Sequence, residues 1–237
     1  MTALVMIPTY NERENLEPLV RAVLSHPHCD LLVVDDGSPD GTGAVADALA
    51  AEFPGRVNVI RRTGPRGFGL SYRDAFRWAL QSGADVICQM DADFSHDPKY
   101  LDPLIQAVST HDLALGSRYI PGAGVVNWPL WRRLLSAGAN RYVRLVTGLR
   151  PYDCTGGFRC WRREALARVP VERISSEGYA FLVETLYEAA RRGVSIAEVP
   201  IVFVERRQGR SKLSAAVAFE AMIMPWRLRL GRRRTGD

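Results

Sequence analysis

Two aspartates one residue apart, Asp91 and Asp93, follow directly on the apolar run Val86–Met90. Carboxylates at that spacing can turn toward one ligand once the chain leaves strand geometry. Side by side they repel, so the pair calls for a positive charge, and a hard divalent cation bridging diphosphate oxygens supplies it. An isolated Asp-X-Asp is more often a solvated turn. Here a second acidic pair, Asp35 and Asp36, ends another apolar run, Leu31–Val34. Strand ends sharing one edge would bring the two pairs together. The first apolar run, Ala3–Ile7, is stopped by Pro8. Asn11 is expected to cap the helix that follows, which leaves Tyr10 and Glu12 facing the cleft, a ring for a base and a carboxylate for ribose hydroxyls. There is no Gly-X-Ser-X-Gly elbow and no Ser-His-Asp set, and His96 alone reads as a capping or packing residue.

Positioning these groups requires alternating strands and helices. Strands are expected at Ala3–Ile7, Leu31–Val34, Val57–Ile60 and Val86–Met90, with helices over Glu14–Ser25, Gly43–Phe53 and Ser71–Gln81. That order predicts an α/β fold with a mostly parallel sheet and helices on both faces. Right-handed crossovers then gather the strand C-termini on one ligand-binding edge. Beyond Arg118 the segment RYIPGAGVVNWP reads as a long loop. Pro129–Thr147 reads as a helix, with Trp131, Leu134, Leu135, Tyr142 and Leu145 on its apolar face and Arg133, Arg141 and Arg144 on another. Cys154–Trp161 reads as a strand, Phe181–Arg191 as a helix and Ser195–Phe203 as a strand.

The chain has 237 residues, 47% hydrophobic and 24% charged, a globular balance that excludes wholesale disorder. No apolar run reaches the length of a membrane span, and the start of the chain lacks the pattern of a signal peptide, so a cytoplasmic location is expected. Cys29, Cys88, Cys154 and Cys160 have neither CxxC nor zinc-site spacing and are expected to be reduced. The net charge is +5, yet residues 206–237 hold nine Arg or Lys against two acids. Leu213–Trp226 is apolar and too short to span a bilayer, and Arg227, Arg229, Arg232, Arg233 and Arg234 follow it. The expected division is a catalytic unit over 1–210 and an amphipathic helix with a basic tail over 211–237. That extension either lies in a membrane interface or docks on the core. A basic tail also suits nucleic acid, but no RNP, zinc-finger or helix-turn-helix pattern is present.

Taken together, PTYNE, DDGSPDGT, MDADFSHDP, GSRY, DCTGGFR and FVERRQGRSKLS resemble, in order and spacing over nearly the whole chain, the motifs of glycosyltransferase family 2 enzymes of the GT-A fold. Within that family they are most similar to the polyprenol (dolichol) phosphate mannose synthases. The resemblance implies inverting transfer of mannose from GDP-mannose to a polyprenyl phosphate. The runner-up is another donor, such as UDP-glucose, on the same scaffold. By position it implies donor contacts at Pro8, Tyr10, Glu12, Val34, Asp36, Asp91, Ala92 and Asp93. It implies a Mg2+ or Mn2+ ion on Asp91 and Asp93, with Ser95 completing the shell, and phosphate-neutralising charge from Arg118, Arg206 and Lys212. On the acceptor side it implies Asp153, Thr155, Arg159 and Glu184, with Leu182 standing where a glutamine is often found.

A phosphate acceptor explains the missing catalytic base, because a phosphomonoester with a second pKa of about 6 is already ionised near neutrality. The protein then has to position two anions and neutralise them. Arg132 and Arg133 are candidates beside the lipid phosphate. The expected partners are the sugar nucleotide, the polyprenyl phosphate and the cytoplasmic membrane face, with an integral membrane partner left open and no nucleic acid.

Overall fold

The computed structural model describes residues 1–174, 176–205 and 215–231. The first half alternates as expected: β1 (Ala3–Thr9), α1 (Arg13–Leu24), β2 (Cys29–Asp35), α2 (Thr42–Glu52), β3 (Val57–Arg61), α3 (Phe68–Gln81) and β4 (Val86–Gln89). Then come α4 (Leu101–Ala107), β5 (Leu113–Ser117), β6 (Gly124–Val126), α5 (Leu130–Thr147), β7 (Arg159–Arg162), α6 (Arg163–Ala167), α7 (Gly178–Arg191), β8 (Ile196–Pro200), β9 (Val202–Val204) and α8 (Ala215–Gly231). The main sheet has the order β3-β2-β1-β4-β7-β5-β8, and β6 pairs with β9 in a separate ribbon. Every strand of the main sheet runs in one direction except β7, which is antiparallel to both β4 and β5.

Alternate residues of β1 enter two cores. Val5 and Ile7 pack with Leu31, Val33, Leu16 and Leu19 on one face, and Leu4 and Met6 pack with Leu32, Val34, Tyr72 and Phe76 on the other. Burial on both faces is why these strands read as unbroken apolar runs. Chain order reverses between β1 and β4, and the β4 register on β1 ends at Met6. Pro8 lies beyond that pairing, so its missing N–H costs no β4 bond there and β1 continues to Thr9, where the sequence had suggested a stop.

Several expectations are corrected. The segment 195–203 is two strands, because at Ile201 the chain leaves the main sheet and pairs β9 with β6. The loop expected after Arg118 therefore contains a strand, hidden in sequence by its Gly and Pro punctuation. Helix α4 was too short to mark itself by periodicity. On α5 the buried residues are Asn140, Val143 and Val146, while Leu130, Trp131, Leu134, Leu135 and Leu145 face outward, Leu145 at 70% exposure. Helix α8 docks against α5 and α7, placing Met224 in the core.

Arg159 is also corrected. Its side chain is fully buried, and it donates to the carbonyls of Gly156 (2.8 Å), Leu182 (2.9 Å) and Cys154 (3.1 Å). It therefore ties the loop before β7 to α7 and does not face an acceptor. Burial pulls this guanidinium down to about 10, still charged at neutral pH. The four cysteines are buried free thiols, and burial pushes Cys29 and Cys154 up to about 12. Arg159→Met leaves three buried carbonyls without their donor, so it should lower unfolding stability by about 3 kcal/mol. Urea denaturation measures this, and an unchanged midpoint would show that the carbonyls find other partners.

Candidate active site

Tyr10, Asp36, Asp91 and Arg118 each follow the C-terminal end of a parallel strand, so the sheet delivers all four to one edge. The N-terminus of α1 is held by the β2–α2 loop. Ser38 Oγ accepts from Asn11 N (3.1 Å), Thr42 Oγ1 from Glu12 N (2.9 Å) and Asp40 from Arg13 N (3.2 Å). Asn11 is consequently not the cap expected from sequence. It takes a left-handed backbone, φ 60°, and the neighbouring loop satisfies the helix N–H groups.

The second acidic pair needs no metal. Asp35 is buried, accepts from Ser38 Oγ (2.5 Å) and pairs with Arg61 (3.3 Å). Asp36 pairs with Arg62 and accepts from Gly67 N (2.9 Å), while Arg62 also reaches Asp74 (2.7 Å). Arg66 hydrogen-bonds Tyr10 Oη and lies 4.8 Å from its ring centroid. This end of the edge thus includes three arginines that the sequence reading did not assign. Their signal was the basic stretch RRTGPRG, which starts at the last residue of β3, opposite two aspartates. Pro8 and Val34 are register partners on β1 and β2, and the Val34 side chain is buried in the core, leaving its backbone to reach the edge.

After β4 the chain makes a tight turn with Phe94 at φ 60°, a region that bulky residues rarely adopt. Side chains hold it. Ser95 N and Oγ donate to Asp93 Oδ1 (3.1 and 2.5 Å), and Asp91 N donates to His96 Nδ1 (3.0 Å). Ser95 and Ala92 are buried, so Ser95 orients the Asp93 carboxylate. His96 packs as expected, 4.9 Å from the Phe158 ring centroid. A Cβ on Gly157 would lie 3.4 Å from the His96 ring and 3.6 Å from Asp91 Oδ1, so glycine lets the DCTGGF loop approach the turn.

Beside it stands the most buried charge pair of the edge. Asp153 accepts from Arg118 N (3.1 Å), Nε (2.7 Å) and Nη2 (2.8 Å), and Arg118 Nη2 also donates to Thr155 Oγ1 (2.9 Å). Asn140 of α5 binds Thr155 Oγ1 (3.1 Å) and accepts from the Cys154 and Thr155 amides. Tyr119 Oη donates to Ser136 Oγ (2.6 Å). The Trp128 ring lies 5.8 Å from the Arg118 guanidinium and 4.3 Å from that of Arg132, which pairs with Glu205. Phe203 bridges the halves, 5.8 Å from the His96 ring and 5.4 Å from the Arg118 guanidinium. The structure brings Arg132 to Arg118, leaves Arg133 exposed, and engages Glu184 with Ser176 N (3.3 Å). Arg206 and Lys212 lie outside the described residues.

Strand-end carboxylates at a sheet switch point, with arginines beside them, form an edge suited to a phosphorylated ligand. Residues 4–169 match the model of glycosyl transferase family 2, and the chain belongs to that family. It is 49% identical over 232 residues to the polyprenol monophosphomannose synthase of Mycolicibacterium smegmatis, covering 95% of this chain and 87% of that one. It is 46% identical over 238 residues to the undecaprenyl-phosphate mannosyltransferase of Micrococcus luteus, covering 100% and 97%. Among solved structures, glucosyl-3-phosphoglycerate synthase from Mycobacterium tuberculosis, in complex with Mn2+, UDP-glucose and phosphoglyceric acid, superposes with a TM-score of 0.69. At 18% identity over 100% of this chain and 81% of that one, this shows the shared fold.

Burial disfavours ionised Asp153, but the Arg118 charge and its N–H bonds outweigh it and hold the carboxyl below the ordinary range. The ionised form therefore contributes stability that is fully present above the unfolded pKa of about 3.9 and is lost as pH falls through the lower folded value. Asp153→Asn strands a buried guanidinium and should cost about 3–5 kcal/mol at pH 7. The gap to wild type should shrink below about pH 4. Urea melts at both pH values test this, and a gap independent of pH would contradict it.

Proposed function

We propose that the protein transfers mannose from GDP-mannose to a polyprenyl phosphate, with inversion at the sugar C1, releasing GDP. The supporting observation is Phe203, one ring in contact with both His96 of the Asp91–Asp93 turn and Arg118. It places a carboxylate turn suited to a diphosphate next to arginines suited to a second phosphate. The names of the curated relatives agree with a polyprenyl phosphate acceptor and mannose transfer.

Tyr10, Glu12 and Asp36 hold the nucleoside at the ends of β1 and β2. Asp91 and Asp93 offer hard oxygen donors. Among the described residues no three His, Cys, Asp or Glu side chains gather as a metal cage, and Asp91 and Asp93 are the two carboxylates that would hold a divalent cation. When bound, a divalent cation of the Mg2+ or Mn2+ kind supplies charge for the leaving diphosphate. The fold neighbour was solved in complex with Mn2+. Arg118, fixed by Asp153, and Arg132, stacked on Trp128, orient the acceptor phosphate. Arg206 and Lys212 add charge around the phosphates in this reading. An acceptor oxygen forms the bond to C1 as the C1–diphosphate bond breaks, and its electron pair leaves with GDP. The acceptor carries no proton that must be removed, which suits a site where His96 Nδ1 is engaged with Asp91 N.

No described helix is long and apolar enough to cross a membrane. Residues 1–210 form the catalytic unit in this reading, and the extension 211–237 together with α5 seats it on the cytoplasmic leaflet. The outward Trp131, Leu134 and Leu135 of α5 and Met222, Trp226 and Leu230 of α8 form the contact.

Asp93→Asn should lower turnover about 100-fold or more while the thermal unfolding midpoint stays near that of wild type. Mass detection of the glycolipid with GDP-mannose, a divalent metal and a short polyprenyl phosphate reads this out. Near-normal turnover would remove Asp93 from the site, and product from UDP-glucose alone would overturn the donor. Leu134→Glu combined with Leu135→Glu should abolish flotation on liposomes and spare GDP-mannose binding. Undiminished flotation would move the contact elsewhere.

A further inference from the structure

On the flank of α5 lies a cavity of about 470 Å³ that borders the Arg118–Thr155 network through Tyr119 and Asn140 and has no ligand assigned above. Its wall includes Tyr119, Asn140, Arg141, Arg144 and Tyr152, and none of its nine lining residues is acidic. The Arg144 guanidinium stacks on the Tyr152 ring at 4.2 Å, and its buried Nε–H has no hydrogen-bond partner among the described residues. Neither Arg141 nor Arg144 forms an ion pair among those residues. Three other arginines at this end of the molecule are engaged: Arg118 with Asp153, Arg132 with Glu205 and Arg229 with the Val146 carbonyl. Two adjacent guanidinium groups without a counterion, in a cavity without carboxylates, constitute a site for an anion.

The surroundings select the kind of anion. Leu134, Arg141 and Leu145 fall at i, i+7 and i+11 on α5, so the cavity opens beside the outward apolar stripe, and Leu145 belongs to both. A soluble anion needs no such neighbour. An amphiphile with a phosphate head and apolar tails uses both surfaces at once. We propose that this cavity binds the phosphate headgroup of an anionic bilayer phospholipid, at a place separate from the acceptor phosphate on Arg118. The proposal rests on the reading that α5 meets the bilayer. It adds a reason for the enzyme to prefer anionic membrane and to sit at a fixed rotation on it, with Arg118 turned toward the embedded acceptor.

The test is flotation of the full chain on phosphatidylcholine vesicles and on vesicles containing phosphatidylglycerol. Wild type should bind both, and phosphatidylglycerol more tightly. Arg141→Gln with Arg144→Gln should lose that preference, by about tenfold, and keep wild-type binding to phosphatidylcholine. Arg150→Gln with Arg227→Gln, which removes as much charge from outside the cavity, should retain most of the preference. The KM for a short, water-soluble polyprenyl phosphate should be unchanged in the cavity variant. Equal losses in the two double variants would reduce the effect to diffuse charge and overturn the site. A raised KM for the soluble acceptor would reassign the cavity to the substrate. Displacement from phosphatidylglycerol vesicles by millimolar inorganic phosphate, at matched ionic strength, would make it a site for free anions. Failure of wild type to float on either vesicle would overturn the membrane reading itself and the headgroup site with it. Binding to phosphatidylcholine without any preference would overturn only the site.

Discussion

Arg118 and Asp153 meet inside the protein with three N–H groups of one residue directed at one carboxylate. Neither charge could be buried alone, since desolvation of an unpaired ion costs several kcal/mol. The pair therefore sets conditions on everything around it. The end of β5 must present both the backbone N–H and the side chain of Arg118 to the loop before β7. That loop must be held in shape, which Arg159 does through its carbonyls and Asn140 through its amides. Asn140 belongs to α5, so the same interaction fixes the outer helix against the sheet edge. A guanidinium held this rigidly offers its remaining donor capacity in a set direction, which is what orienting a phosphate requires.

The two acidic pairs on the sheet edge are handled differently. Asp35 and Asp36 are neutralised within the fold by Arg61 and Arg62 at the end of the neighbouring strand. Asp91 and Asp93 sit in a turn shaped by Ser95, which donates to the Asp93 carboxylate, and by His96, which accepts from Asp91 N. The first pair shapes the end of the edge where Tyr10 and Arg66 meet, and in the proposed reading the second offers hard oxygen donors. Similar sequence marks thus acquire different neighbours, arginines of the next strand in one case and a serine and a histidine of the same turn in the other.

Helix α5 carries two jobs on two faces. Its inner face is partly polar, with Asn140 fully engaged, and its outer face is apolar. For a helix in water this is inverted, and large aliphatic and aromatic groups left exposed in one stripe indicate a surface that becomes buried against something else. Packing of α8 on α5 extends the stripe, and the Tyr142 hydroxyl bonded to the Met222 carbonyl (2.5 Å) locks the two together. The unpaired Arg141 and Arg144 lie along its border.

The amino-acid sequence by itself determined the first half of the fold. Runs buried on both faces identify parallel strands without knowledge of their partners, and the motifs ending them mark the ligand edge. It also singled out Asp91, Asp93, Arg118 and Asp153 as candidates, and the structure brings Arg118 and Asp153 together. It could not decide which face of α5 is buried, because periodicity reports that apolar residues share a face and not whether that face meets the core. It could not separate Arg159 from Arg118, since an arginine beside a signature looks the same whether it binds carbonyls or faces a ligand. The division of 195–203 into two strands and the neutralisation of Asp35 and Asp36 were likewise decided by tertiary structure. Each depends on residues distant in the chain, and only packing sets which groups end up adjacent and which are left facing outward.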